Sequence, residues 1–88
     1  MTAEEQTAQK IRAHLAPLHP LQLDIRDDSR HHAGHAGAAG GGGHYHLTIV
    51  AEAFRNLAPL ARHRLVHAAL GPLLHGEIHA LQIDARAP

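Results

Sequence analysis

The chain has 88 residues, with eight basic and eight acidic side chains and a formal net charge of zero at pH 7. A chain of this length is expected to form one small domain, and its neutral balance argues against a strongly basic nucleic-acid-binding protein. Because the chain contains no cysteine, it can form neither a disulfide nor a thiolate metal site by itself.

The spacing of apolar residues predicts the first two elements. The segment from Thr2 to Glu5 fits a capping box, and apolar residues at helical spacing predict a helix that continues to about Ala16. Pro17 stops that helix because a proline cannot continue the helical hydrogen bonds. After Pro20, apolar and polar residues alternate, which predicts a half-buried strand of an antiparallel sheet. The inward positions of that strand are Leu21, Leu23 and Ile25.

Residues 29–43 form a segment that is rich in histidine and glycine and has no large apolar side chain. We predict a long loop, and such loops are usually functional or disordered. No Lys-Ser or Lys-Thr pair follows the glycines, so a phosphate-binding P-loop is not predicted. Neutral imidazoles suit zinc, copper or nickel, so the loop histidines are candidate metal ligands, with a solvated polar loop as the alternative. These histidines are His31, His32 and His35.

The second half of the chain predicts a strand, a helix and a further strand. The first of these strands runs from His44 to Glu52, and the helix begins at Pro59. The helix is expected to break at Gly71-Pro72, and the last strand runs from Glu77 to Asp84. A β-α-β crossover is right-handed, so the last strand should lie parallel to the one before the helix. We therefore predict an α+β fold of order α-β-β-α-β, a three-stranded mixed sheet with both helices packed on one face, in a single domain over residues 1–88.

Catalysis is not predicted from the residues available. Ser29 is the only serine, and it lies close in sequence to Asp28 and His32. A glycine-rich loop does not hold a catalytic triad in the geometry that nucleophilic catalysis requires. We therefore expect a protein that is not an enzyme.

Two further groups of residues are candidates for function. His79 starts the last strand on the same parity as Leu81 and Ile83, so its side chain is expected to point toward the core side, at a rim position that allows half exposure. From the spacing alone, a histidine hydrogen-bonded to a carbonyl is the favoured interpretation. A basic cluster on the second helix is either solvated or a contact to an anion such as phosphate. This cluster consists of Arg62, His63 and Arg64.

Several motifs together resemble those of the BolA family, and the resemblance covers nearly the whole chain in order. They are the run from Asp28 to Gly37, His44-Tyr45-His46, Phe54, the run from Arg62 to Leu70, and Ile78-His79-Ala80-Leu81. The pairing of Arg-His-Arg with a later His-Ala-Leu is the specific part of the match. The resemblance implies a class II KH-like fold, which agrees with the predicted order of elements. The family's Phe-x-Gly turn reads Phe54-Arg55-Asn56 here, and asparagine tolerates a left-handed backbone.

The resemblance also implies a function. BolA-like proteins pair with monothiol glutaredoxins and share a 2Fe–2S cluster across the heterodimer, in which the glutaredoxin side gives its active-site cysteine and a glutathione thiolate. The BolA side gives the histidine of the His-Ala-Leu motif, here His79, and one ligand from the loop between the first two strands. A chain without cysteine cannot hold such a cluster alone, so none is expected in the isolated chain.

Two loop histidines remain open as the second ligand. Counting forward from Ser29, the family's Ser-x-x-His pattern falls on His32, whereas counting back from the His-Tyr pair leads to His35. His31 and His44 are further candidates for metal binding or for support of the loop.

The first functional hypothesis is a non-enzymatic adaptor in iron–sulfur cluster trafficking or in iron and redox sensing. The alternative is a DNA-binding transcriptional regulator of the BolA type, in which the basic cluster contacts DNA or a partner. Neutral charge and the missing Gly-x-x-Gly loop of nucleic-acid-binding KH domains count against it. A second alternative is divalent-metal binding through the loop histidines. A polar N-terminus unlike a signal peptide, and the lack of a membrane-length apolar run, lead us to expect a cytoplasmic location.

Overall fold

The structure is a computed structural model that describes residues 3–27 and 43–88. Those residues form two helices and three strands, with short 3₁₀ segments between them. In chain order they are α1 (Ala3–Leu15), β1 (Gln22–Asp27), β2 (Gly43–Val50), α2 (Pro59–Leu70) and β3 (Ile78–Arg86). The predicted cap residue Thr2 and most of the predicted loop lie outside the described residues.

Helix α1 packs its apolar stripe against the sheet. Ile11 and Leu15 of that stripe are fully buried, and Thr7 is buried beside them. The α-helix ends at Leu15, and a 3₁₀ turn over Ala16–Leu18 carries Pro17 in its first turn. The predicted end of the first helix is therefore confirmed to within one residue.

The three strands form one mixed sheet in the order β1-β2-β3. Strand β1 runs antiparallel to β2, so that Leu23 pairs with Ile49, and β3 runs parallel to β2. The predicted antiparallel pairing of the first strand and the predicted parallel third strand are both confirmed. Leu21 precedes β1 and is 67% exposed, so the buried side of that strand begins at Leu23.

Both helices pack on the same face of the sheet, as the sequence predicts. The core between these layers is almost entirely aliphatic, with two aromatic rings. Its buried members are Ile11, Leu15, Tyr45, Leu47, Ile49, Ala51, Phe54, Val66, Leu70, Leu73 and Ile78. The other face of the sheet carries polar side chains, among them the exposed Arg26 and Gln82 and the half-buried His46. No helix or strand among the described residues packs on that face.

Glycine, proline and asparagine set the boundaries of α2. Pro59 occupies the first turn of the helix, and Asn56 before it has a φ of 67°. Asparagine adopts this left-handed conformation more readily than most residues, so the turn expected there is formed. Gly71, with a φ of 49°, ends α2, and a 3₁₀ segment over Gly71–His75 follows. The predicted break at Gly71-Pro72 is confirmed.

Three predicted boundaries shift by a few residues. Strand β2 begins at Gly43, so this glycine belongs to the sheet and not to the loop predicted over 29–43. The same strand ends at Val50, and β3 extends two residues beyond Asp84. Among the residues described, no helix has both the length and the apolar character needed to cross a membrane.

Candidate functional site

The candidate site lies at the end of the sheet where β2 and β3 begin. Because β1 is antiparallel to β2, the last residue of β1 reaches the same end, where Asp27 pairs with Tyr45 and Tyr45 with Leu81. Residues 28–42 connect β1 to β2 at this end, but they lie outside the described residues. The predicted ligands His31, His32 and His35 belong to that segment, so the structure does not test their positions.

A β-bulge at the start of β3 determines where His79 points. Gly43 pairs with Ile78, but the next residue of β2, His44, pairs with Ala80. His79 is therefore the extra residue on β3, and a bulge changes which face of the sheet the surrounding side chains point to. Ile78 points into the core and is only 3% exposed, whereas His79 is exposed.

The prediction that His79 shares the core side with Leu81 and Ile83 is wrong. Regular alternation assigns side chains with the same parity to one face, and the extra residue interrupts that alternation between Ile78 and Leu81. His79 is consequently exposed at the end of the sheet and not buried against a carbonyl. A bulge depends on the pairing of two strands, so the spacing within one strand could not indicate it.

The bulge brings His79 next to His44. Their ring centroids are 5.3 Å apart, and the ring planes are tilted by 49°. Two imidazoles bound tetrahedrally to one ion at ordinary metal–nitrogen distances have centroids about 5 Å apart. Among the residues described, no group of three or more histidine, cysteine or acidic side chains could hold a metal ion, so this pair supplies two ligands at most. Sequence reasoning named His44 only as a supporting residue, because its proximity to His79 depends on the strand pairing.

Hydrogen bonds connect the backbone next to His44 and His79 to α1. The Gly43 N–H donates to the Glu77 carbonyl over 2.9 Å. The Glu77 carboxylate accepts a hydrogen bond from Lys10 Nζ at 2.6 Å and another from the Thr7 hydroxyl at 3.3 Å. The hydrogen bond from Lys10 is the main reason that the pKa of Glu77 is lowered. The residue directly before β3 is thereby tied both to β2 and to a helix.

The uncovered sheet face continues the site as a row of polar side chains. Arg26 donates to Nδ1 of His46 over 3.2 Å, and a guanidinium can only donate, so this nitrogen of His46 is the acceptor. Asp84 lies two residues further along β3 than Gln82, the residue paired with His46, and it accepts hydrogen bonds from Arg86. The hydrogen bond from Arg86 is the main cause of the lowered pKa of Asp84.

The basic cluster of α2 lies at the other end of the sheet. Arg62 is half-buried, and its guanidinium donates to the carbonyls of Leu57 at 2.9 Å and of Ala85 at 3.1 Å. Ala85 is near the C-terminal end of β3, roughly 20 Å along the strand from His79. His63 and Arg64 are exposed. The structure therefore does not bring this cluster to His79, and its role in binding a partner or nucleic acid stays a prediction.

Comparisons with known proteins agree with this fold. A family model for "BolA-like protein" matches residues 15–88. The chain is 46% identical over 71 residues to BolA-like protein 1 of Bos taurus, which covers 81% of this chain and 50% of that protein. It is 40% identical over 76 residues to the chloroplastic/mitochondrial SufE-like protein 1 of Arabidopsis thaliana, covering 81% of this chain and 20% of that protein.

A solved structure shows the same architecture. The BolA domain of SufE1 from Arabidopsis thaliana superimposes with a TM-score of 0.78 at 38% sequence identity, covering 91% of this chain and 90% of that one. The chain spans about half the length of the first curated relatives it matches. Because one relative is named as chloroplastic/mitochondrial, a cytoplasmic location stays a prediction.

Proposed function

Because this chain belongs to the BolA-like protein family, we propose that it is a non-enzymatic adaptor that pairs with a monothiol glutaredoxin and shares a 2Fe–2S cluster with it. The observation that carries the proposal is the exposure of His79 at the β-bulge, beside His44. A histidine that binds a cluster shared with another protein must be accessible to that protein. A buried histidine would not be accessible.

The available donor atoms fit a shared cluster. Four ligands are needed, and a chain without cysteine can offer imidazoles but no thiolate. Thiolates must therefore come from the partner, here the glutaredoxin cysteine and glutathione. Bound in this way, the cluster would supply a one-electron centre, and imidazole ligation of one iron raises its reduction potential above that of an all-thiolate centre.

The ends of β1 and β2 support a second ligand from this chain. Residues 28–42 join β1 and β2 at the end of the sheet where His79 is exposed. His32 and His35 thus belong to the segment that leads into β2, the strand paired with the strand of the first ligand. His79 is held by the sheet, and we propose that one of the two loop histidines, with His31 as a neighbour, completes the pair.

Reconstitution with a purified monothiol glutaredoxin, iron, sulfide and glutathione tests this proposal. We expect the mixture with the unchanged chain to show cluster absorption in the visible range and to elute as a heterodimer. His79→Ala should remove most of that absorption or shorten the lifetime of the cluster. His19→Asn is the control, because His19 is an exposed histidine near the opposite end of the sheet, with a left-handed φ of 53° that asparagine tolerates. An unchanged spectrum and lifetime in His79→Ala would show that the ligand assignment is wrong.

A DNA-binding role has less support than the adaptor role. Arg62 donates its hydrogen bonds to two backbone carbonyls, so within the basic cluster Arg64 is the exposed arginine. Binding to duplex DNA that weakens with salt and is lost in Arg64→Ala would favour this alternative. Absence of binding at low salt would contradict it.

A further inference from the structure

We propose that His44 and His79 form a binding site for one zinc-type divalent ion in the chain alone, without a glutaredoxin. This site differs from the predicted one in the loop, because both of its ligands lie in the sheet. It also differs from the shared cluster, because it requires no thiolate. The inference stands on the geometry of the two strands and does not depend on the proposed function.

The geometry of the two rings fits a common ion. A metal–nitrogen distance of about 2 Å and a tetrahedral angle give a centroid separation of about 5 Å. The observed centroid separation is 5.3 Å, which is close to that value. The ring planes are tilted by 49° and are not stacked in parallel.

The sheet holds the two ligands before any ion arrives. His44 lies in the central strand, next to Tyr45, which is 4% exposed. His79 lies between the buried Ile78 and the half-buried Leu81. His44 pairs with Ala80, and His79 is flanked by Ile78 and Ala80, which both pair with β2. Because these pairs order the backbone around both histidines, binding an ion mainly restricts side-chain rotation, and preorganised ligands bind more tightly than ligands that must first be ordered.

The donor set determines which ions the site accepts. Imidazole nitrogens suit zinc, copper and nickel, whereas magnesium and calcium require several oxygen ligands. No third histidine or acidic side chain among the described residues joins the pair to make a metal-binding group. Two protein ligands leave the other positions of a tetrahedral ion to water or to another molecule, which makes this an open site.

Calorimetric titration of the full chain with zinc, and with magnesium as a comparison ion, tests the site. We expect one zinc ion to bind with an affinity that depends on both imidazole rings. We expect no binding of magnesium. Removing a side chain that only hydrogen-bonds a metal ligand lowers metal affinity by roughly 10–100-fold. Removing a ligand itself should therefore lower the affinity by at least about tenfold. We expect that loss in His44→Asn and in His79→Asn.

Two control variants separate this site from the other histidines. His19→Asn carries the same substitution at an exposed histidine near the opposite end of the sheet and should leave the affinity unchanged. A variant in which His31, His32 and His35 are all replaced by Asn should retain the zinc site. If the loop variant loses zinc while His44→Asn keeps it, the ion is bound by the loop and the inference is wrong.

A measurement on the unchanged chain makes the test independent of folding in the variants. Added zinc should shift the imidazole NMR signals of His44 and His79 together, saturating at one equivalent. Circular dichroism of each variant checks that the fold is retained. Shifts confined to other histidines, or equal affinity in all variants, would overturn the proposal.

Discussion

The two ends of the sheet both carry basic side chains, but these side chains contact different groups. At the end where β2 and β3 begin, His79 is exposed and its ring lies 5.3 Å from that of His44. At the opposite end, Arg62 is half-buried and donates to the carbonyls of Leu57 and Ala85. Both residues belong to motifs that carry the family resemblance, Arg-His-Arg and His-Ala-Leu. Membership of such a motif therefore does not by itself distinguish a candidate ligand from a structural residue.

The difference indicates how each motif contributes. Arg62 joins the start of α2 and the segment before it to the last strand, and its guanidinium hydrogen bonds are made within the chain. His79 is displaced outward by a bulge, and its ring is available to a metal or to a partner. We therefore infer a structural role for Arg62 and propose a binding role for the histidine end. The following predictions test this comparison, beginning with the largest expected effect on stability.

Replacing Arg62 should destabilise the fold without affecting the histidine end. Arg62→Met removes two hydrogen bonds from a charged donor, each worth about 1.5–3 kcal/mol when buried, and Arg62 is only half-buried. We expect the free energy of unfolding in urea to fall by about 2–3 kcal/mol, while zinc affinity stays unchanged. Arg64→Met is the matched control, because Arg64 is exposed, and it should change stability by no more than about 0.5 kcal/mol. Equal effects of the two variants would contradict a structural role for Arg62.

Adding a methyl group at Gly43 should disturb the histidine end from within. A Cβ at this position would lie 2.8 Å from both Cζ and Oη of Tyr45, whose ring is 4% exposed. Overpacking of this kind costs about 1–3 kcal/mol, so Gly43→Ala should lower the free energy of unfolding by about 2 kcal/mol. Because Gly43 adjoins His44 in β2, zinc affinity should fall as well.

Gly76→Ala is the control for that variant. A Cβ at Gly76 would have no other atom within 4 Å, so an added methyl group contacts no neighbour there. We expect a change of no more than about 0.5 kcal/mol and an unaltered zinc titration. If Gly43→Ala behaves in the same way, close packing beneath the site is not what positions His44.

The smallest effect is expected at Glu77, which ties the start of β3 to α1. Lys10 lowers the pKa of Glu77 below its ordinary value of 4.5, so the folded state binds fewer protons than the unfolded state at acidic pH. The stabilisation is therefore present above the unfolded pKa and is lost as the pH falls through the lowered folded value. Urea unfolding of the unchanged chain and of Glu77→Gln between about pH 3 and pH 7 measures this. The two stabilities should differ at neutral pH and converge in acid, and a constant difference would contradict it.

Much of the fold could be predicted because its elements have local causes. Pro17, Pro59 and the Gly71-Pro72 break each act on the backbone within a few residues, and the structure has the corresponding boundaries. Alternation along β2 puts Tyr45, Leu47 and Ile49 on one side of the strand, and all three are buried. The handedness of β-α-β crossovers then made β3 parallel to β2.

The sequence by itself determined the order of elements, and its resemblance to a family identified His79 as a candidate ligand. Only the tertiary structure decided where that side chain points, because a bulge arises from the register between two strands and not from the pattern within one. The same register decided that His44 is its neighbour, and the packing of α2 on β3 decided that Arg62 contacts carbonyls. Local spacing determines what each segment becomes, whereas pairing between distant segments determines which side chains meet.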